Sequence, residues 1–205
     1  MIIVAFRGSD NVDNTISDID FFKTPYKQVP GAEVHEGFYI GYSNVSSQVH
    51  DAIRPLLAQH TNASILYTGH SLGAALATFA AVDVLEELAP SNTAYFYTFG
   101  SPRTGNQAFS DHIMNLYPNY FRMTHAADLV PHLPLYEMGF NHAGTEIWYK
   151  NPGLDMTRET CLNTVGTPEN SNCCDTTVIP NPDDHMQYVG INLRAGWCSP
   201  STFLK

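Results

Sequence analysis

The stretch Tyr67-Thr68-Gly69-His70-Ser71-Leu72-Gly73-Ala74-Ala75-Leu76-Ala77 decides the fold of this chain. A short apolar run over residues 64–67 leads into it, and small residues at helical spacing follow it to about Leu88. This order predicts a strand, a tight turn and a helix. The glycines two positions before and after Ser71 allow a turn so sharp that any side chain there would collide with the adjacent strand or helix. The hydroxyl of Ser71 is then held in a strained backbone at the top of a sheet.

Two interpretations of this turn are open. A Gly-x-Ser-x-Gly pattern also occurs by chance, and it then marks a plain glycine-bracketed turn. The recognisable strand and helix on either side favour a nucleophile, and so do the small residues that let the helix pack closely against the sheet. These residues are Ala74, Ala75, Ala77, Ala80 and Ala81. Because a helix that begins at the turn presents unpaired N–H groups and the positive end of its dipole, an oxyanion could be stabilised beside Ser71.

Length, composition and charge restrict the function further. The 205 residues, of which 43% are hydrophobic, suffice for one domain spanning residues 1–205 with a substantial core. The formal net charge of −10 argues against nucleic acid or anionic lipid as a partner and favours a neutral or apolar substrate. No apolar run in the sequence is long enough to span a membrane.

Strands alternate with helices along the chain, which predicts an α/β layer fold with a mainly parallel sheet. The predicted strands cover residues 1–6, 64–67, 93–99, 120–124 and 145–149, and the predicted helices cover residues 37–59, 72–88 and 106–116. The first helix is predicted as one long helix whose last turn is disturbed by Pro55. Residues 151–184 are rich in Pro, Gly, Asn, Asp and Cys, so a long loop is predicted there.

The first and last parts of the chain carry further expectations. Residues 1–6 are typical of a buried parallel strand and are too short for a signal peptide, so we expect the chain to be truncated at its N-terminus. The four cysteines, Cys161, Cys173, Cys174 and Cys198, contain no Cys-x-x-Cys pair. Disulfides formed in an oxidising compartment therefore fit better than a zinc ribbon or a thioredoxin-type site. Vicinal cysteines rarely bridge each other. No metal or cofactor is expected.

A nucleophilic serine needs a histidine to take its proton and a carboxylate to orient that histidine. On this type of fold the acid follows a strand downstream of the serine. Asp128 fits, because it comes just after the predicted strand 120–124 and precedes Pro131. The other candidates lie in a helix pattern or in the long loop, where we expect solvated surface groups. They are Asp111, Asp155, Asp175, Asp183 and Asp184.

Three histidines follow Asp128. His132 is too near in sequence to approach Asp128 easily from the side of the serine, and His142 precedes a strand and could equally be a hydrogen-bonded core residue. His185 is favoured, because it ends the long loop just before an ordered segment. For an oxyanion hole, the N–H of Leu72 is one donor, and Ser9, after the first strand, is expected to provide the second.

Five ordered motifs together resemble the fungal-type class 3 lipase family, which also contains the type A feruloyl esterases. They are Phe6-Arg7-Gly8-Ser9, Gly69-His70-Ser71-Leu72-Gly73-Ala74, Tyr97-Thr98-Phe99-Gly100-Ser101-Pro102-Arg103-Thr104-Gly105-Asn106, Asp128-Leu129-Val130-Pro131 and His142-Ala143-Gly144-Thr145-Glu146-Ile147-Trp148. The resemblance implies an α/β-hydrolase fold and a secreted carboxylic ester hydrolase with Ser71, Asp128 and His185 as triad. It also implies Ser9 and Leu72 as the oxyanion hole, and a lid at about residues 10–22.

This chain departs from the family pattern in two respects. Members of the family carry a helix and additional strands before the Phe6-Arg7-Gly8-Ser9 motif, which this sequence lacks. The N-terminal cysteine that pairs in relatives with one near the C-terminus is also missing, so Cys198 is expected to be unpaired. The resemblance implies a disulfide between Cys161 and Cys173.

The substrate depends on the expected lid, whose face of Val12, Ile16 and Ile19 is apolar while the other face is strongly acidic. An apolar lid that opens at an oil surface favours an acylglycerol lipase, and a polar lid favours a feruloyl-type esterase. We expect the lipase. An acyl groove could be lined by Leu133, Leu135, Tyr136, Met138 and Phe140, although ordinary packing would explain them equally well. The alternatives of other classes are a non-catalytic relative that binds lipid or protein, and a serine peptidase.

Overall fold

Six strands form the central sheet of the protein. The computed structural model describes residues 1–9, 20–89, 91–151, 157–177 and 179–193. The strands are β1 (Ile2–Phe6), β2 (Lys23–Pro25), β3 (Glu33–His35), β4 (Ile65–His70), β5 (Ala94–Phe99), β6 (Tyr120–His125), β7 (Thr145–Tyr149), β8 (Arg158–Cys161), β9 (Gln187–Tyr188) and β10 (Ile191–Asn192). The α-helices are α1 (Glu36–Ser43), α2 (Ser46–Gln59), α3 (Leu72–Glu87) and α4 (Gln107–Leu116). Short 3₁₀ helices cover Val130–His132, Tyr136–Met138, Cys174–Thr176 and Pro182–Met186.

The central sheet has the order β1-β4-β5-β6-β7-β8. Its first five strands pair in parallel and only β8 runs antiparallel to its neighbour, so the prediction of a mainly parallel sheet is confirmed. Two antiparallel pairs, β2 with β3 and β9 with β10, lie outside it. Because the carboxyl ends of β4, β5 and β6 meet at one edge of the sheet, the residues that follow them come together there.

Helix α3 lies at the centre of the core. Its apolar and small residues are buried on nearly every side, among them Phe79 and Val82, as expected for a helix that is hydrophobic all round. Tyr67 of β4 and Phe96 of β5 are fully buried against the same core, with ring centroids 6.4 Å apart in an edge-to-face arrangement. Strands β4 and β5 and helix α3 therefore form the packed core that supports the turn at Ser71.

Two predicted elements differ from the observed ones. The single helix predicted over residues 37–59 is two helices, α1 and α2, that meet at Asn44 and Val45. Serine hydroxyls compete for helical carbonyls at this junction: the Ser43 hydroxyl donates to the Tyr39 carbonyl at 2.7 Å, and the Ser46 hydroxyl to the Ser43 carbonyl at 3.1 Å. The apolar periodicity continues across the break, which is why the pattern alone did not reveal it.

The segment predicted as a long loop over residues 151–184 is more ordered than expected. It contributes β8 to the sheet and two 3₁₀ helices, and a disulfide joins Cys161 to Cys173 as the resemblance implied. The Pro, Gly and Asn residues of this segment are typical of the turns that separate its short elements. Within the described residues, no helix combines the length and apolar character that crossing a membrane requires.

The burial of His35 at the N-terminus of α1 predicts that the free energy of unfolding depends on pH. The Phe38 amide donates to Nδ1 of His35 at 3.3 Å, which requires an unprotonated nitrogen, and burial lowers the pKa of His35 from 6.5 to about 4. Between these two pH values the unfolded chain binds more protons than the folded one, so stability should fall as the pH is lowered from about 6.5 to 4. Thermal unfolding followed by circular dichroism across this range measures the effect.

The variant His35→Asn isolates the contribution of this histidine, since asparagine caps a helix without titrating. Its melting temperature should fall less steeply with acidification than that of the parent protein. Parallel curves for the two proteins would contradict the assignment.

Candidate active site

The turn after β4 has the strained geometry that the sequence predicts. Ser71 has φ 58° and ψ −130°, and its amide donates to the Phe99 carbonyl at 3.0 Å. A Cβ added to Gly69 would lie 2.2 Å from the Gly73 carbonyl oxygen, and one added to Gly73 would lie 2.2 Å from the Phe6 carbonyl oxygen. Both distances are far below any van der Waals contact, so the predicted need for glycine at both positions is confirmed. The strain is imposed by the strand and helix that enclose the turn.

Two backbone segments surround Ser71 on the side of the helix. Helix α3 begins at Leu72, so the first amides of the helix have no intrahelical acceptor and the positive end of the dipole faces the turn. The loop after β1 packs against the same turn: a Cβ on Gly8 would lie 2.8 Å from the His70 carbonyl oxygen and 3.3 Å from Cβ of Ser71. Ser9 follows directly in this loop. The two expected oxyanion donors therefore come from two segments next to Ser71. Ser9 lies in the loop after β1, and Leu72 begins the helix after β4.

Asp128 follows β6 and is 1% exposed. Its carboxylate accepts three kinds of hydrogen bond: from the Val130 amide at 2.8 Å, from Nδ1 of His185 at 2.8 Å and 3.0 Å, and from the Tyr188 hydroxyl. A buried carboxylate needs such donors, because an ionised group without partners would be strongly destabilised in the interior. The carboxylate is therefore fixed in both position and direction toward His185.

His185 lies in the 3₁₀ helix Pro182–Met186 and has no exposed surface. Since its Nδ1 faces the carboxylate of Asp128, Nδ1 carries the proton in the neutral ring and Nε2 keeps its lone pair. Nε2 is buried and has no hydrogen-bond partner among the described residues. An imidazole with one nitrogen bonded to a carboxylate and the other available as a proton acceptor is suited to general-base chemistry.

Further contacts hold the imidazole in place. Nε2–H of His70 donates to the backbone carbonyl of His185 at 2.8 Å, and the two ring centroids are 4.4 Å apart. Burial, reinforced by the neighbouring His185, lowers the pKa of His70 to about 4, so His70 is uncharged near neutral pH. Gly100, at φ 54°, lies on another side of the His185 imidazole. A Cβ at this position would lie 2.9 Å from both Cε1 of His185 and the Tyr188 hydroxyl, so glycine leaves the space that these two groups occupy.

Sequence reasoning did not find His70, Gly100 or Tyr188 as parts of this site. His70 is adjacent to Ser71, and Tyr188 follows His185 by three residues, so proximity to the predicted residues was the available signal. The direction of the His70 and Tyr188 side chains depends on how segments distant in the sequence pack together, which no local pattern encodes.

The rival candidates lie elsewhere. His132 faces Asp175, and His142 is a buried core residue whose Nε2–H donates to the Pro131 carbonyl at 2.8 Å. The expectation that the loop aspartates are solvated is wrong for two of them. Asp184 is 8% exposed and accepts from the Ala127 amide at 3.1 Å, and Asp175 pairs with Arg103. Neither carboxylate is bonded to the imidazole of His185.

The apolar groove expected beyond residue 132 is only partly present. Leu135, Tyr136 and Met138 are exposed at 47%, 43% and 40%, whereas Phe140 is buried at 1% beside the ring of His35. Phe140 is therefore a core residue and not a groove residue. The expected lid residues Val12, Ile16 and Ile19 lie outside the described residues.

Comparison with known proteins identifies relatives over most of the chain. The sequence profile of the family described as Lipase (class 3) matches residues 3–138. The chain is 34% identical over 202 residues to a lipase of Rhizomucor miehei, which covers 97% of this chain and 54% of that protein. It is 38% identical over 151 residues to secreted mono- and diacylglycerol lipase A of Penicillium cyclopium, which covers 74% of this chain and 48% of that protein.

A solved structure points to the same family. It is described as a triacylglycerol lipase whose catalytic centre is a serine protease triad, and it matches with a TM-score of 0.87 at 34% identity, over 96% of this chain and 73% of that one. The chain spans about half the length of the curated relatives it matches. Its mainly parallel sheet with flanking helices is the α/β-hydrolase fold of these lipases.

Proposed function

Since the chain belongs to the class 3 lipase family, we propose that it is a serine carboxylic ester hydrolase that cleaves acylglycerols through an acyl-enzyme on Ser71. The observation that carries this proposal is the buried pair of Asp128 and His185 at the same sheet edge as the strained turn of Ser71. The lipases named among the relatives support the same activity.

The proposed reaction proceeds in two halves. Nε2 of His185 takes the proton of the Ser71 hydroxyl as Oγ attacks the ester carbonyl, and the resulting tetrahedral oxyanion is stabilised by the N–H groups of Leu72 and Ser9. The imidazolium then gives its proton to the leaving alcohol, which leaves the acyl group on Oγ. Water attacks this acyl-enzyme with His185 again as base, and the carboxylic acid and the free Ser71 hydroxyl are regenerated.

Asp128 has a positioning and electrostatic role in this scheme. Its bonds to Nδ1 of His185 select the tautomer with a free Nε2 and stabilise the imidazolium that forms after proton transfer. The Tyr188 hydroxyl and the Val130 amide hold the carboxylate so that it does not turn away from the ring. The scheme uses only side chains and backbone amides of this chain.

A neutral, partly apolar ester fits the net charge and the exposed apolar surface of the chain. The net charge of −10 disfavours anionic substrates, and Leu135, Tyr136 and Met138 present exposed apolar surface that an acyl chain could contact. We propose further that residues 10–22 form a lid that governs access of lipid from an oil–water interface.

Labelling with an organophosphonate ester tests the catalytic proposal. We expect stoichiometric modification of the folded protein at Ser71, located by mass spectrometry of the peptides, with no modification after heat denaturation. A folded protein that stays unlabelled would contradict the enzyme proposal and favour a non-catalytic relative that binds lipid or protein.

Hydrolysis of three esters, compared side by side, tests the substrate class. Emulsified triolein and a short-chain nitrophenyl ester should both be cleaved, whereas methyl ferulate should be a poor substrate. Cleavage of the ferulate alone would contradict the lipase proposal and indicate a feruloyl-type esterase. Cleavage of a peptide substrate alone would favour a serine peptidase.

The hydroxyl of Tyr188 is expected to contribute to turnover. In Tyr188→Phe, the carboxylate of Asp128 loses one of its donors in a buried site, so its orientation toward His185 is less fixed. We expect kcat for the nitrophenyl ester to fall by about 10-fold to 100-fold, as for other outer partners of a site, with KM nearly unchanged. Tyr95→Phe, which removes a hydroxyl from an exposed position on β5, is the matched control and should behave like the parent protein. A larger change in KM than in kcat for Tyr188→Phe would contradict the positioning role.

We propose that the protein acts outside the cell. The disulfide between Cys161 and Cys173 supports an oxidising compartment, and one of the relatives is named as secreted. Expression of the full natural gene with a detectable tag should place the protein in the culture filtrate, and retention in the cell pellet would contradict secretion.

A further inference from the structure

Three potential metal ligands lie together outside the proposed triad of Ser71, Asp128 and His185. They are His132 at the end of a 3₁₀ helix, Cys174 and Asp175 in another, and we refer to them as the Cys174 cluster. A ring nitrogen, the thiol sulfur and a carboxylate oxygen of these residues all lie within 4.8 Å of one another. We propose that the Cys174 cluster binds Zn²⁺ or a similar divalent cation that accepts sulfur and nitrogen ligands.

The spacing of the donors suits such an ion. Nδ1 of His132 is 3.3 Å from Oδ1 of Asp175. Bonds of about 2.0 to 2.3 Å to a tetrahedral Zn²⁺ separate neighbouring donor atoms by about 3.3 to 3.8 Å, so the nitrogen and oxygen need little adjustment. The sulfur of Cys174 lies within 4.8 Å of the other two donor atoms, so binding brings it closer to them. One Cys, one His and one Asp give three protein ligands, which leaves the fourth position for water.

The neighbouring charges are compatible with a cation. Both Nε and Nη2 of Arg103 bond the carboxylate of Glu169, with Nε at 2.9 Å and 3.0 Å from its two oxygens, so the charge of this guanidinium is compensated. Nη2 of Arg103 also lies 3.2 Å from Asp175, an outer contact of the kind that orients ligating carboxylates. Arg122 and Glu146 form a second compensated pair, with 3.5 Å between Nη2 and Oε2. Three carboxylates, of Glu146, Glu169 and Asp175, face two guanidinium groups here, so the group as a whole carries an excess of negative charge.

A further observation points to a ligand at this place. A cavity of about 480 Å³ is lined by His132, Asp175, Arg103 and Glu169, so an ion and its water have a path to the cluster. The cavity connects the Cys174 cluster to the surface formed by Leu135 and Tyr136.

Binding would exchange a proton for the ion. Burial and the neighbouring carboxylate of Glu146 raise the pKa of the Cys174 thiol well above its usual value, so the metal-free thiol is protonated. Coordination deprotonates a thiol outright, so Zn²⁺ enters as the proton leaves to solvent and the sulfur becomes a thiolate ligand. No electron transfer is involved.

No metal was expected from the sequence, because it contains no Cys-x-x-Cys pair. The proposed site does not depend on such a pair. Its donors come from two turns far apart in the sequence that only the fold brings together. A bound ion would join the turn Val130–His132, which follows Asp128, to the helix Cys174–Thr176. Because the ion binds the folded state, saturating Zn²⁺ should raise the melting temperature by about 5 °C or more.

Titration with Co²⁺, a spectroscopic substitute for Zn²⁺, tests the proposal directly. The oxidised chain is used without thiol reductants under argon, so that the disulfide between Cys161 and Cys173 stays intact. We expect one Co²⁺ per chain, a near-ultraviolet charge-transfer band from sulfur to cobalt, visible bands of a four-coordinate ion, and loss of both when Zn²⁺ is added.

Two cysteine variants assign the sulfur. Cys174→Ser should lose the charge-transfer band and the stabilisation by Zn²⁺, whereas Cys198→Ser should keep both. His132→Asn, which retains every cysteine, should bind Co²⁺ at least 10-fold more weakly, since one of the three protein ligands is lost. A folded parent protein without the band, or a band that persists in Cys174→Ser or disappears in Cys198→Ser, would overturn the proposal. Esterase activity is not used as the measurement, so failure of this site is independent of the proposed hydrolase function.

Discussion

Replacing Ser71 with alanine is expected to reduce kcat for the nitrophenyl ester by about 10⁵-fold to 10⁶-fold, because the acyl-enzyme can no longer form. At about 1.36 kcal/mol for each factor of ten, this loss corresponds to about 7 to 8 kcal/mol of transition-state stabilisation. The remaining activity would come from the oxyanion donors and from substrate binding, which the substitution leaves in place. Steady-state kinetics with active-site titration of the parent protein measures the ratio.

The fold should survive this change. The turn is held by Gly69, Gly73 and the bond from the Ser71 amide to Phe99, and none of these needs the hydroxyl. Alanine at φ 58° retains the same backbone strain, so the melting temperature should stay close to that of the parent. Ser43→Ala removes an exposed hydroxyl on α1 and serves as the matched control with full activity. Turnover by Ser71→Ala within about tenfold of the parent would show that another residue is the nucleophile.

The second large effect is expected for Asp128→Asn. The amide can accept a bond from Val130 but presents an NH₂ donor toward His185, which favours the wrong tautomer of the ring and removes the charge that stabilises the imidazolium. We expect kcat to fall by about 10⁴-fold, with a smaller change in KM. The same esters and the same titrated enzyme preparations provide the measurement.

The control for Asp128→Asn is a carboxylate beside the same histidine that does not face its ring. Asp184 precedes His185 and accepts from the Ala127 amide, a bond that an asparagine oxygen can also accept. Asp184→Asn removes the same charge from the same region, and its kcat should stay near that of the parent. Equal losses in the two variants would mean that general electrostatics, and not the Asp128–His185 pair, controls turnover.

The elements closest to the central turn could be predicted from the sequence because their causes are local. The two glycines around Ser71, the strand before it and the small-residue helix after it are fixed by steric contacts within a few residues. The helix α3 lies where the pattern predicts, and β4 runs three residues beyond the predicted strand 64–67, to His70. The strand at Thr145–Tyr149 is confirmed at both ends for the same reason. The catalytic roles of Ser71, Asp128 and His185 stay predictions until the variants are measured.

Other features depended on contacts between distant segments. The split between α1 and α2 and the strand β8 were missing in the sequence interpretation, and the pattern left open whether Phe140 lines a groove or packs in the core. From composition and periodicity such segments are interpreted as exposed loops or as one continuous helix. Neither property shows which distant segment will pack against them. The position of His185 at the end of the long loop favoured it over His142, and the family resemblance strengthened that preference.

By itself, the sequence determined an alternating α/β chain and a serine on a glycine-bracketed turn, because hydrophobic periodicity and backbone sterics act over a few neighbouring residues. Only the tertiary structure decided which donors reach Asp128, that His70 holds the backbone of His185, and that Cys174 meets His132 and Asp175. These contacts join residues from opposite parts of the chain, and they form only when parallel strands bring their carboxyl ends to one edge of the sheet.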